Sequence, residues 1–235
     1  MENISSRIAN APTLPVLWRH MTRYFSSHGF GGVSYYWLRL GTGLPAIIPL
    51  QYGFTREQRD VYRAFDFEQL DIVPRTALVA GRPIRWSEIW RDAQLTAEER
   101  AFLTALREKG VTDGFSLPCY GPNGRDAVVG LGRMTAKTDT SAEHLALLHF
   151  AAQAAHLRIC ALFADAAPPA RLLSRREKEI LDWVARGKSN GVIAEILQIA
   201  PGTVDTYMRR IYEKLGVSDR TSAAVKGVGL GLITA

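Results

Sequence analysis

The stretch Pro201–Leu215 reads PGTVDTYMRRIYEKL, and its spacing decides the fold at this end of the chain. Val204, Met208, Ile211 and Leu215 recur at helical intervals, so one face of a helix is apolar. Pro201 suits the first helical position, where a missing N–H costs nothing, and Gly216 suits the residue just past the end. Working outward, Ser189 can cap a preceding helix that carries Ile193, Ile196 and Leu197. Before that, Ser174 and Glu177 form a capping box ahead of Ile180, Trp183 and Val184, and Gly187 closes that helix. After Gly216, Ser218 can cap a fourth helix carrying Ala224, Val225 and Val228. Residues 173–230 therefore read as an all-α unit of four helices.

A helix, a tight turn and a second amphipathic helix make the helix-turn-helix pattern, whose second helix enters the major groove of DNA. With the apolar face turned inward, the outer face of 201–215 carries Asp205, Thr206, Arg209, Arg210, Glu213 and Lys214. Arg209 stands one turn from Asp205, so the two can reach neighbouring base edges. Arginine bonds guanine bidentately, and aspartate accepts from a cytosine amino group. Lys188, Ser189, Thr203, Arg210 and Lys214 suit phosphates, which position a helix without carrying sequence information. A small helical bundle with a solvated charged face is the alternative reading of the charges alone.

The motifs in this stretch resemble the LuxR-type helix-turn-helix. The resemblance rests on Leu173-Ser174-Arg175-Arg176-Glu177-Lys178-Glu179, Gly187-Lys188-Ser189, Ile193-Ala194, Thr203-Val204 and Lys214-Leu215-Gly216-Val217. The tail Gly231-Leu232-Ile233-Thr234 matches the ending of many quorum-sensing members. Two positions depart. The family usually has Ser at Ala200, so the side-chain cap of the recognition helix is lost, at about 1 kcal/mol. It often has His at Tyr207, where a phenol can still reach a phosphate.

The formal charge of +6 over 235 residues fits a polyanionic partner. It is uneven: residues 171–235 hold eleven Lys and Arg against seven Asp and Glu, most of the surplus. Cys119 and Cys160 are too few for a disulfide scaffold and lack metal-ligand spacing, so two reduced, buried thiols are expected. No signal-peptide pattern opens the chain, and no apolar run approaches the ~20 residues of a membrane helix. The expectation is a cytoplasmic protein without a membrane partner. Residues 164–171, with paired prolines between small residues, read as a linker between domains at 1–163 and 172–235.

The first domain alternates helix and strand signals. Helices are expected at 13–27, 55–65, 96–109 and 141–163, the last rich in alanine. Strands are expected at 33–40, 46–50, 115–120 and 127–134, with turns at Gly41-Thr42-Gly43 and Gly121-Pro122-Asn123-Gly124. The order implies an α+β fold: an antiparallel sheet between helical layers, an α/β/α sandwich able to enclose a small-molecule pocket.

Tyr62, Asp71 and Trp86 extend the resemblance across most of the chain, since acyl-homoserine lactone receptors of the LuxR type carry Tyr, Asp and Trp at this spacing. They also show glycine, proline and glycine as at Gly114, Pro118 and Gly121. The resemblance implies that Asp71 accepts a ligand amide N–H, a strong charge-assisted bond, while Tyr62 and Trp86 line the cavity. Gln58 falls where the family has a Trp that bonds the lactone carbonyl, and its amide can donate there. Phe54 falls where some members have Tyr, and Gly132 where some have Ser. Ile72 and Val73 follow the Asp in place of the usual Pro, so Val73 joins a pocket more apolar than the family's.

Enzyme signatures are missing from the sequence: no zinc-ligand motif, no nucleophile elbow and no phosphate loop. No cofactor is expected beyond a signal molecule, an acyl-homoserine lactone or a relative. The reading is a ligand-responsive transcription regulator that binds an inverted-repeat operator as a homodimer, because one helix-turn-helix makes few phosphate contacts. Alternatives are a protein that heterodimerises with a related regulator and inhibits it, or a solo receptor for a non-lactone signal. The 141–163 helix offers alanines for close approach, with Leu148, Leu157 and Leu162 as bulk, either for packing on the sheet or for a dimer seam.

Overall fold

A computed structural model of the chain describes residues 4–37, 50–64, 72–91, 94–122, 125–163 and 173–233. Several expectations lie outside them: Asp71, the glycine turn at 41–43, the strand at 46–49, the linker at 164–171 and the tail residue Thr234. The chain divides into two compact units, the first drawn from 1–38, 46–121 and 125–162 and the second built on 163–235.

The first unit holds helices α1 (Ile4–Ala9), α2 (Leu14–Ser27), α3 (Arg56–Ala64), α4 (Ile72–Ala80), α5 (Trp86–Ile89), α6 (Ala97–Glu108) and α7 (Ala142–Leu162). Its strands are β1 (Phe30–Trp37), β2 (Leu50–Tyr52), β3 (Ile84–Arg85), β4 (Gly114–Cys119) and β5 (Ala127–Met134). They form one antiparallel sheet in the order β2-β1-β5-β4-β3. The fold is thus α+β with an antiparallel sheet between helices, as the alternation of signals implies.

The sheet is buried on both faces, and its register sorts them. Tyr35, Val129 and Leu117 are cross-strand partners on one face, and Ser34, Gly130 and Ser116 on the other. On the first face, the Tyr35 hydroxyl donates to Nδ1 of His156 on α7 at 2.8 Å, and His156 Nε2 donates to the Arg125 carbonyl at 2.7 Å. Burial lowers the pKa of His156, so it stays neutral in this role.

By length and composition α7 could cross a membrane, contrary to the expectation that no run is long enough. Here it packs against β4, α1 and α2, with Leu148, Ala151, Ala152, Ala155, His156 and Ile159 buried. Ala151, Ala152 and Ala155 therefore serve packing within the domain, while Leu147, Phe150 and Leu157 face outward at 52%, 64% and 48% exposure. Cys119 and Cys160 are buried and unbridged.

The second unit holds α8 (Arg175–Ala185), α9 (Asn190–Leu197), α10 (Pro201–Leu215) and α11 (Arg220–Gly229). The caps of α8 and α9 and the closing glycines do what their chemistry predicts. The Ser174–Glu177 box is closed in both directions, Ser189 Oγ accepts from the Val192 N–H, and Gly187 and Gly216 take left-handed φ of 76° and 62°. Val204, Met208, Ile211 and Leu215 join Ile180, Val184 and Ile193 in one core.

Two expectations fail. Asp219, not Ser218, caps α11, because its carboxylate reaches the Ser222 N–H at 2.8 Å. The buried face of α11 is Ala223 and Gly227, while Val225 and Val228 are exposed. A Cβ at Gly227 would stand 2.7 Å from Leu181 Cδ2, so α11 approaches α8 too closely for a larger residue.

Candidate ligand cavity and nucleic-acid interface

The cavity lies against the face of the sheet that carries Ser34, Tyr36, Ser116, Val128 and Gly130. Its centre is Trp86, the first residue of α5. Glycines make room for the indole: a Cβ at Gly114 would lie 2.7 Å from Trp86 Cζ3, and one at Gly132 2.8 Å from Cη2. Gly114 and Gly132 are cross-strand partners, and Gly32 pairs with Gly132 from the other side. The large ring therefore rests on bare backbone at Gly114 and Gly132, while Gly32 lies against the Phe54 ring. Its Nε1–H donates to Ser116 Oγ at 3.0 Å, which satisfies the indole nitrogen and fixes the ring's rotation.

The other walls are aromatic and aliphatic. Tyr62 of α3 stacks on Tyr36 with centroids 5.9 Å apart and meets Phe102 edge-on at 5.6 Å. Phe54 precedes α3, and its carbonyl accepts from Arg59 Nη1 at 2.6 Å while the Gly53 carbonyl accepts from Arg133. Val73 and Pro74 of α4 complete this side, next to Asp71 in the chain. The cavity measures about 30 Å³, room for roughly two waters.

Phe54, Tyr62, Val73 and Trp86 are thus brought together, and two expected residues are not. Gln58 does not donate into the cavity. Its Nε2–H donates to the Lys109 carbonyl at 2.9 Å, and its Oε1 accepts from the Thr55 N–H at 2.9 Å. Together with the Gln58 N–H to Thr55 Oγ1, this makes Gln58 half of a capping box for α3. Gly132 is covered by Trp86, and Gly130, two residues earlier, is the β5 glycine that lines the space. Ser34 and Ser116 were not anticipated. Both are buried hydroxyls on the cavity floor, and only strand register shows that they share a face with Tyr36.

In the second unit, α10 exposes Thr203, Asp205, Thr206, Arg209 and Arg210. Ala200 provides no side-chain cap, and the first turn is secured instead by Pro201 and by the Thr203 N–H to the Ala200 carbonyl at 2.9 Å. Thr206 turns its hydroxyl back to the Gly202 carbonyl at 2.9 Å. The Arg210 guanidinium lies 5.9 Å over the Tyr207 ring, and Arg209, also exposed, stands one turn from Asp205. Lys188 and Ser189 sit exposed at the N-terminus of α9, where backbone N–H groups favour phosphate.

Lys214 departs from its expected phosphate role. Its ammonium donates to Glu177 Oε2 at 2.6 Å, and the same oxygen accepts from the Ser174 N–H at 2.6 Å. Glu177 is almost fully buried, so it needs this cation. Burial opposes its ionisation, but Lys214 and Ser174 outweigh that and hold its carboxyl below the ordinary value. Asn190 and Arg220 were also not anticipated: Asn190 Nδ2 donates to Asp205 Oδ1 at 2.6 Å, and Arg220 Nη1 donates to Asn190 Oδ1 at 2.7 Å.

Comparison with known proteins accounts for both halves. Residues 14–159 match the family described as autoinducer binding domain, and residues 171–226 match bacterial regulatory proteins of the luxR family. The chain is 30% identical over 191 residues to the HTH-type quorum sensing-dependent transcriptional regulator RpaR of Rhodopseudomonas palustris, covering 81% of this chain and 77% of that one. It is 34% identical over 168 residues to the putative HTH-type transcriptional regulator y4qH of Sinorhizobium fredii, 71% of this chain. The match covers 51% of y4qH, so the chain spans about half the length of that relative. In fold it is similar to Escherichia coli SdiA, with a TM-score of 0.75 at 20% identity over 97% of this chain and 95% of that one. These matches are to regulators and not to enzymes. With an autoinducer-binding domain ahead of a luxR-family helix-turn-helix, the chain belongs to the LuxR-type quorum-sensing transcription regulators.

Proposed function

We propose that the chain senses a small, mainly apolar signal, an acyl-homoserine lactone or a close relative, and that occupancy of the Trp86 cavity governs how it binds DNA. The observation that carries this reading is the indole held on bare glycine backbone over two buried hydroxyls, an apolar chamber with few polar groups. At about 30 Å³ the chamber is too small for an acyl chain, so binding displaces wall side chains such as Phe54. The signal then completes the core and stabilises the first unit by mass action.

The regulator acts in the cytoplasm as a homodimer on an inverted-repeat operator. Leu147, Phe150, Ala154, Leu157 and Ala161 follow one another on the outer side of α7 at intervals of three, four, three and four. That is the heptad seam that a second copy of the same helix fills. Arg209 and Asp205 read base edges, while Lys188, Ser189, Thr203, Tyr207 and Arg210 contact phosphates. Thr206 serves as a further contact on the same face.

The second reading, a receptor for a non-lactone acyl signal, gains support from the solved complex of SdiA with octanoyl-rac-glycerol, which shares this fold with a TM-score of 0.71. Calorimetric titration of the full-length protein with acyl-homoserine lactones and with octanoyl glycerol separates the two readings. Heat released only by the lactones supports the first reading, and heat released only by the acylglycerol supports the second.

A further inference from the structure

The N-termini of α9, α10 and α11 meet around one amide. Asn190 is the first residue of α9 and Arg220 the first of α11, while Asp205 lies just past the first turn of α10. Arg220 Nη1 donates to Asn190 Oδ1 at 2.7 Å, and its Nη2 donates to the Lys188 carbonyl. Asn190 Nδ2 donates to Asp205 Oδ1 at 2.6 Å. The orientation of this amide is fixed by chemistry at both ends. A guanidinium can only donate, so Oδ1 must face Arg220, and a carboxylate can only accept, so Nδ2 must face Asp205.

We propose that Asn190, held by Arg220, is a positioning residue that sets which base the Asp205 carboxylate selects. The proposal rests on the base-reading role given to Asp205 above. With Oδ1 engaged by Asn190, Oδ2 is the carboxylate oxygen left to accept from the DNA. The donors in the major groove are the amino groups of cytosine and adenine, so the relay aims a single acceptor at an amino group. An exposed aspartate without this tether samples several rotamers and loses that freedom on binding, whereas the tethered one is already ordered. The guanidinium also places a positive charge behind the carboxylate, which offsets its repulsion by nearby phosphates.

The test is selection by the full-length protein from a randomised double-stranded DNA library, followed by sequencing, for the wild type, Asp205→Ala, Asn190→Ala and the Asp205→Ala/Asn190→Ala double variant. Asp205→Ala is expected to flatten one base-pair position per half-site, with discrimination there falling on the order of tenfold. Asn190→Ala is expected to flatten the same position, and the double variant no further. Arg220→Gln keeps Asn190 but frees its amide, and is expected to give a partial loss at that position; it stands in if Asn190→Ala does not fold. If Asp205→Ala flattens a position while Asn190→Ala and Arg220→Gln leave it sharp, the relay is refuted and the base-reading role survives. If Asp205→Ala changes no position, the base-reading role itself fails. A uniform loss of affinity for all sequences in Asn190→Ala marks a merely structural residue and overturns the proposal.

Discussion

Lys214 reaches across from α10 to place its ammonium 2.6 Å from the Glu177 carboxylate of α8, and Glu177 in turn closes the cap of its own helix. One partly buried ion pair thereby ties the recognition helix to the helix beneath it. Removing either partner strands the other. Lys214→Ala is expected to destabilise the DNA-binding unit by about 3 kcal/mol, measured by denaturant unfolding. The slope of DNA affinity against salt should stay that of the wild type, since this cation is not a phosphate contact. A shallower salt slope at unchanged stability would restore Lys214 to the DNA surface.

The same pair predicts a pH dependence. Glu177 has a folded-state pKa below its ordinary value of 4.5, so its contribution is fully present above that value and is lost as pH falls through the folded pKa. Melting of the wild type from pH 7 down to about pH 3 should therefore show a stability loss beginning below about 4.5 that is reduced in Glu177→Gln. Parallel curves for the two proteins would remove Glu177 as the cause.

The glycines under Trp86 are as restrictive as the ring is large. Gly132→Ser places a Cβ within 2.8 Å of the indole and forces it off the sheet. Overpacking of this kind costs about 1–3 kcal/mol, and the altered indole position should also change tryptophan fluorescence and weaken signal binding. A Gly132→Ser protein with wild-type melting temperature and emission would show that the ring has other room.

Local chemistry made the helix-turn-helix legible. Ser174, Glu177, Pro201 and Gly216 act on neighbours within a turn, so their sequence context contains their structural context. Lys214 was misread for the opposite reason: its partner, the Glu177 carboxylate, lies far along the chain, and nothing near it in sequence announces it. Gln58 stands three residues after Thr55, a capping-box spacing visible in the sequence, and its other partner, the Lys109 carbonyl, lies far along the chain. Ser34 and Ser116 became visible only with the register that lines both up beside Gly130. Helix α4 was missed because IVPRTALVA is apolar almost throughout and carries a proline, so its spacing marks no single face. Trp86, by contrast, was found because its spacing to Tyr62 and Asp71 resembles that of acyl-homoserine lactone receptors, while the reason it fits, bare backbone beneath the ring at Gly114, Gly130 and Gly132, lies in two strands.

The outward seam on α7 gives a further expectation. Phe150→Glu puts a charge in the middle of the stripe without touching the packed face, so the monomer should stay folded while the dimer weakens. Sedimentation velocity across a range of concentrations checks this, and a dimer as tight as the wild type's would move the interface elsewhere.

Within the DNA surface, Arg209→Ala is expected to lower specific operator binding by about 1–3 kcal/mol and to relax selectivity at one position. Arg210→Ala, whose guanidinium lies over Tyr207, should weaken all sequences alike. Gel-shift titrations on operator and scrambled DNA distinguish the two, and unchanged selectivity in Arg209→Ala would count against its base-reading role.

The central claim is that filling the Trp86 chamber changes how the recognition helices meet DNA. The most direct measurement is operator affinity of the full-length protein with and without a saturating acyl-homoserine lactone, with the melting temperature followed in parallel. The account predicts that a lactone which raises the melting temperature also changes operator affinity, and that Trp86→Ala abolishes both effects together. A lactone that stabilises the protein and leaves operator affinity untouched would contradict it, as would a change in affinity that persists in Trp86→Ala.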